Sequence, residues 1–229
     1  KVQDLKLTQW QNDAVLEVFK TLKFNRFIER FKDRFENVNI ENKQNTKIED
    51  FVNIKEVELK DINKILEKIE KSKNLIYFLG KTDETPDSTE IIKKKISSIS
   101  IYDEEKNEVY YIKLNNNEFI ENFKNIFESI EVKKIGYHLS EDYVLLKQIG
   151  INMENVYYDI EVAAYDLNST MGTYTIEASS DLYLEIDANE YLSQYEQDKK
   201  KNKQITLFQD EESNENEKYV YGFKTYLIK

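Results

Sequence analysis

The chain has 229 residues, room for one domain or one domain with a small appendage. Lys and Arg number 33 against 44 Asp and Glu, so the formal charge is −11, and at 40% hydrophobic residues the sequence is too apolar for wholesale disorder. No cysteine excludes a disulfide scaffold, a thiolate metal centre and a cysteine nucleophile, and the single histidine, His138, excludes multi-histidine zinc sites. Five Gly and one Pro leave no glycine-rich phosphate loop. No stretch approaches the ~20 apolar residues of a membrane span and no signal-peptide pattern opens the chain, so a cytoplasmic protein is expected. The basic runs Lys93–Lys95 and Lys199–Lys201 with Lys203 are short and read as solvated surface, which argues against stand-alone nucleic-acid binding.

In chain order, Val15, Leu16, Phe19 and Leu22, then Phe24, Phe27, Ile28, Phe31 and Phe35, recur at helical spacing, so two helices are expected over 7–36. Residues 37–50 are polar and read as a connector. Asp61 is placed to cap a helix whose face is Ile62, Ile65, Leu66 and Ile69. Leu75–Leu79 is an unbroken apolar run ended by Gly80, the mark of a buried strand, with a loop from Lys81 to Glu90. Strands are expected near Ile96–Tyr102 and Val109–Leu114, a helix on the Phe119–Phe127 stripe, and a strand over Val132–Tyr137. A short helix over Tyr143–Gln148, closed by Gly150, and a strand at Val156–Tyr158 follow. Helices begin at Val162 and Ile176. Residues 193–217 are polar around the island Gln204–Phe208, and 217–229 read as a helix that stops inside an apolar pattern, as in a piece of a longer protein. A strand meander followed by alternating helices and strands implies an α/β fold: a mixed sheet with helices on its faces.

Four segments from Leu75 onward resemble, in order and interval, the 3′–5′ proofreading exonuclease domain of bacterial DNA polymerase I, a ribonuclease-H-like fold. Leu75–Thr82 stands where that family has an apolar strand ending in Asp-x-Glu-Thr. Gly136-Tyr137-His138-Leu139-Ser140-Glu141-Asp142 stands on its Gly-x-Asn-Leu-Lys-x-Asp. Tyr158–Asn168, running on to Gly172 and Tyr174, stands on its Asp-Thr-Met-Leu-x-x-Tyr-Leu-Leu-Asn, and Tyr219–Phe223 on its Tyr-x-x-x-Asp. Leu16–Phe24 with Phe27–Phe31 resembles the connector that follows the 5′ nuclease domain of the same polymerase. The resemblance implies a helical connector and linker over 1–50 and an exonuclease-like domain over 51–229.

The resemblance also implies a two-metal site, Mg or Mn, in which convergent carboxylates hold two dications about 4 Å apart. The four ligand positions here are Leu79, Lys81, Asp142 and Phe223, so one carboxylate of four remains, and Tyr219 stands where the family has a water-orienting tyrosine. The expectation is therefore a degenerate, metal-free domain without cofactor. Leu79 and Phe223 would pack on each other in the lost site, Asp142 would serve as an ordinary helix-end acid, His138 as a partly buried, hydrogen-bonded residue and Tyr219 as core packing. Glu104, Glu105, Glu211 and Glu212 read as solvated. Such a domain would brace the polymerase domain of the same chain in DNA replication and repair, meeting DNA through the parent enzyme. The alternatives are an active exonuclease with a rearranged set (Asp83 or Glu84 with Asp142 and Asp159) or a sliding-clamp-docking module through Gln204, Leu207 and Phe208, since Gln204–Phe208 resembles a clamp-binding peptide and also a stretch native to proofreading domains.

Overall fold

The computed structural model describes residues 12–22, 28, 47–83, 94–193, 195 and 212–228. It divides into two units, 1–46 and 47–229. In the first, α1 spans Asn12–Thr21, with Leu16 buried and Val18 and Leu22 exposed. Apart from Ile28, the expected second helix and the connector up to residue 46 lie outside the described residues, as does the island Gln204–Phe208.

The second unit runs β1 (Asn53–Glu56), α2 (Asn63–Ser72), β2 (Asn74–Asp83), β3 (Lys94–Asp103), β4 (Glu108–Lys113), α3 (Asn116–Glu128), β5 (Lys133–Gly136), α4 (Leu139–Gln148), β6 (Val156–Asp159), α5 (Ile160–Leu167), α6 (Ile176–Tyr183) and α7 (Glu212–Ile228). The six strands form one sheet in the order β1-β4-β3-β2-β5-β6. β2, β3 and β4 pair antiparallel as the expected meander, while β1, β5 and β6 add in parallel, so the sheet is mixed and flanked by helices.

Local chemistry sets several of these boundaries. α3 begins at a reciprocal box in which the Asn115 side chain accepts the Asn117 and Glu118 N–H groups while Glu118 accepts from Asn115 N. Asp61 does not cap α2: a 3-10 turn over Leu59–Asp61 leads in, and Ile62 holds the cap position without a side-chain bond. α4 begins at Leu139, four residues before the expected Tyr143, because the Asp159 carboxylate accepts the Leu139 N–H at 2.7 Å and the His138 N–H at 3.1 Å. That cap comes from twenty residues away, so no local pattern announces it. β2 likewise runs past Gly80 to Asp83, although a loop is expected at Lys81.

Alternation along β2 distributes two cores. Leu75, Tyr77 and Leu79 face the core built with α2, α3 and α4, whereas Ile76 and Phe78 face the core built with α7. On β3 the partners jump from Ser98 (opposite Gly80) to Ile96 (opposite Lys81), so Ser97 is a bulge residue. The bulge puts Ile96 on the same core as Ile99 and Ile101, leaving Ser98 and Ser100 buried on the opposite face. Gly80 is needed there for proximity. A Cβ on it would lie 2.0 Å from Ser98 Oγ and 2.8 Å from the Tyr221 ring of α7. Gly80→Ala is therefore expected to cost about 1–3 kcal/mol by overpacking. Adding Ser98→Ala should recover part of that loss, which urea-unfolding midpoints of the single and double variants would measure; strictly additive losses would contradict the contact.

Lys134 is fully buried on β5, and its ammonium donates to the carbonyls of Ser129 (2.6 Å) and Val132 (2.9 Å) just beyond the end of α3. Burial lowers its pKa to about 8. Between pH 8 and 10.5 the unfolded chain holds this proton while the folded chain releases it, so the Lys134 contribution to stability rises with pH, by up to about 1.4 kcal/mol per unit. The stability difference between wild type and Lys134→Met should move in the wild type's favour across that window and stay level below it. Denaturant titrations at stepped pH would measure this.

Candidate functional site at the end of the central strand

The carboxyl end of β2, the start of β3 and the first turns of α4 and α5 meet where the motif resemblance implies a nuclease centre. The β2 alternation places Leu79 and Lys81 on one side of the sheet, with Asp142 of α4. Phe223 lies on the opposite side, in a ring cluster with Phe51 (5.7 Å), Tyr191 (5.8 Å) and Tyr226 (6.0 Å). Leu79 and Phe223 therefore do not pack on each other, contrary to the expectation, because they occupy different cores. Tyr219, half-buried, lies against Tyr195 at 5.1 Å on the Phe223 side. The ungapped match thus puts its positions on two faces of one sheet. Toward the carboxyl end of β2 the positions that face α7 are Phe78, whose ring stacks on Tyr221 at 5.6 Å, and Gly80.

A lysine–carboxylate network occupies the other side. The Lys81 ammonium stands 2.6 Å from Asp142 Oδ1, an ion pair off regular hydrogen-bond geometry, and 3.3 Å from Glu141 Oε2. Lys94 reaches Glu141 Oε1 at 2.7 Å. Asp142 stands in the first turn of α4, the helix-end position expected, and is almost fully buried there. Burial pushes its carboxyl above the ordinary range and Lys81 offsets only part of the rise. Burial also raises Glu141, but Lys94 and Lys81 outweigh it and hold that carboxyl below the usual range. Lys94, expected to be solvated, is drawn in by Glu141.

His138 is half-buried at φ 57°, with Nδ1 3.3 Å from Glu161 Oε2 and Nε2 4.0 Å from Glu141 Oε2. Asp159 accepts three backbone N–H groups, those of His138, Leu139 and Glu161 (3.0 Å), and so holds the starts of α4 and α5 together. Sequence reasoning passed over Lys94, Glu141 and Tyr221. The only available signals were that Glu141 sits inside the matched motif and Tyr221 inside an aromatic run.

This donor set does not fit a pair of dications. Lys81 and Lys94 bring two positive charges to Glu141 and Asp142, so the four groups already balance, and a further dication would meet ammonium groups where it needs anionic oxygen. Asp159, a member of the alternative metal set, is committed to its three backbone donors; Glu84 lies outside the described residues. No group of three or more His, Cys, Asp or Glu among the described residues is arranged to hold a metal ion.

A mixed sheet with this strand order and flanking helices is the ribonuclease-H-like arrangement of exonuclease domains. Residues 87–190, just under half of the chain, match the family described as DNA polymerase I, ribonuclease H-like domain, which bears out the likeness drawn from the motifs. No curated protein matches the sequence. Among solved structures, Trypanosoma brucei RNase D in complex with GMP is similar at 12% identity and a TM-score of 0.57, over 75% of this chain and 54% of that one. The catalytic core of RRP6 from the same organism is similar at 12% identity and a TM-score of 0.50, over 86% of this chain and 53% of that one. At such identity these show the fold alone, and the chain spans about half the length of both. Among the described residues no helix is long and apolar enough to cross a membrane.

Removing one member of the buried pair should be costly. Lys81→Met leaves Asp142 without its cation and is expected to destabilise by about 3–5 kcal/mol. Lys81→Met with Asp142→Asn should cost less than Lys81→Met alone, since the uncompensated charge is gone. Chemical denaturation of the two variants decides this, and a double variant weaker than Lys81→Met would refute the pairing.

Proposed function

We propose that residues 47–229 are a catalytically inactive exonuclease-like module of a DNA polymerase I. It serves as a structural brace for a polymerase domain in the same chain and takes part in DNA replication and repair in the cytoplasm through that parent enzyme. The observation that carries this reading is the Lys81–Asp142–Glu141–Lys94 network, in which ammonium groups hold the carboxylates at the end of β2. Two-metal phosphodiester cleavage draws its rate from dications that neutralise charge building on the phosphate. A site already neutralised by lysine offers those ions no anionic cradle, and the face toward α7 presents Phe78, Gly80 and Tyr221 in place of acids. The fold itself is kept by two full cores that need no metal. DNA contact, on this reading, comes through the polymerase domain, because this chain carries a formal −11.

The test is incubation of the 229-residue protein with a 5′-labelled DNA strand in magnesium and in manganese. The expected result is no shortening from the 3′ end above a no-protein control. Shortening that persists through purification and is lost in Glu141→Gln or Asp142→Asn, with folding of each variant checked by circular dichroism, would overturn the proposal.

A further inference from the structure

The outer edge of the sheet carries a surface that the fold does not use. Among the described residues β6 ends the sheet and has no strand on its outer side, and Val156, Tyr157 and Tyr158 along it are exposed. α5 follows directly. Only Ala164 of its eight residues is buried, while Val162, Tyr165 and Leu167 are 56%, 54% and 70% exposed. A helix apolar around most of its circumference has the composition of a buried helix. A groove of about 500 Å3 runs on one side of α5, lined by Tyr143, Tyr157 and Val162. A second of about 200 Å3 lies on the other, lined by Leu167, Tyr183 and Leu184. At ~150–250 Å2 for each large aromatic side chain, the exposed residues here offer an area of the same order as the ~800 Å2 that one partner gives to a standard interface. That exceeds the scattered apolar exposure of an ordinary surface.

Charge identifies the occupant. From Glu154 to Glu190 the sequence holds nine acids and not one Lys, Arg or His, so these 37 residues carry most of the chain's formal −11. Asp159, Glu161 and Glu177 are engaged within the fold, by backbone donors, His138 and Lys224. Asp166 is exposed in the lining of the larger groove. A nucleic acid or an anionic membrane would be repelled, and a second copy would set the same acidic segment against itself. A cation is already accepted at the rim, where the Lys133 ammonium lies 4.0 Å above the Tyr157 ring.

We infer that the β6–α5 edge docks a polypeptide surface of another protein that presents apolar anchors ringed by Lys or Arg. The anchors enter the two grooves, and the basic rim meets Asp166 and the faces of the exposed tyrosines. This rests on surface chemistry and stands whether or not the metal-free reading holds.

The test uses two synthetic helical peptides with the same Leu stripe, one edged with Lys and one with Glu, titrated into the isotope-labelled 229-residue protein. The Lys peptide is expected to bind, with amide shifts centred on 156–167 and 182–184. Val162→Glu, an exposed change that leaves the core untouched, should weaken binding about ten-fold, while Lys113→Glu, at an exposed site on β4 near the other edge of the sheet, should not. Equal binding of the Glu peptide, shifts spread over remote surface, equal loss in Lys113→Glu, or self-association through the patch in sedimentation experiments would each overturn the inference.

Discussion

The close seating of α7 on the sheet is the constraint on which the rest of the second unit depends. It is possible because both surfaces are pared down at the crossing. Gly80 on β2 leaves room for the Tyr221 ring, and Gly222 on α7 comes so near Ile54 that a Cβ there would lie 2.8 Å from that side chain. Ser98 and Ser100 keep the neighbouring strand low. With the helix this close, Phe223, Val220 and Leu227 reach a core that also holds Val109, Tyr111 and Ile54, and the aromatic cluster around Phe51 closes it. The burial of these large side chains is worth about 1.5–3 kcal/mol each, and the crossing adds that packing to the backbone ladders that join β1 to β4 and β4 to β3.

On the opposite face the same strand ends in charge. Buried ion pairs are poor stabilisers in absolute terms, because desolvation consumes most of the Coulomb attraction, but they are costly to break. The Lys81 and Lys94 ammonium groups and the Glu141 and Asp142 carboxylates are mutually dependent in that sense. Lys81 stands on β2 and Lys94 on β3 at the same end of the hairpin, so the network ties that end to the first turn of α4. Asp159 adds a second tie by capping α4 and α5 from one carboxylate, which fixes His138 in its left-handed conformation. Lysine thus supplies the electrostatic compensation for the two carboxylates at the end of β2.

Much of the fold was legible in the sequence because its signals are local. The unbroken apolar run of β2, the alternation of β3 and β4 and the Phe119–Phe127 stripe each bury a surface that their own spacing defines. The likeness of the motifs to the ribonuclease-H-like domain of DNA polymerase I was legible for the same reason, since it rests on short motifs in a fixed order. Four-residue β1, by contrast, went unseen: its only buried side chain is Ile54, and it exists because β4 pairs with it.

The sequence by itself determined that Leu79, Lys81, Asp142 and Phe223, with one carboxylate among them, stand where the motif resemblance implies metal ligands. Only the tertiary structure decided that those positions lie on two faces of the sheet. The pleat of β2 sends Leu79 and Lys81 away from α7, and no linear spacing records which way a strand faces a helix more than a hundred residues later. The partnering of Asp142 with Lys81 and the triple acceptance by Asp159 were hidden for the same reason. A charge reads as solvated in sequence until the chain folds its counterion beside it, and here those counterions come from elements separated by dozens of residues.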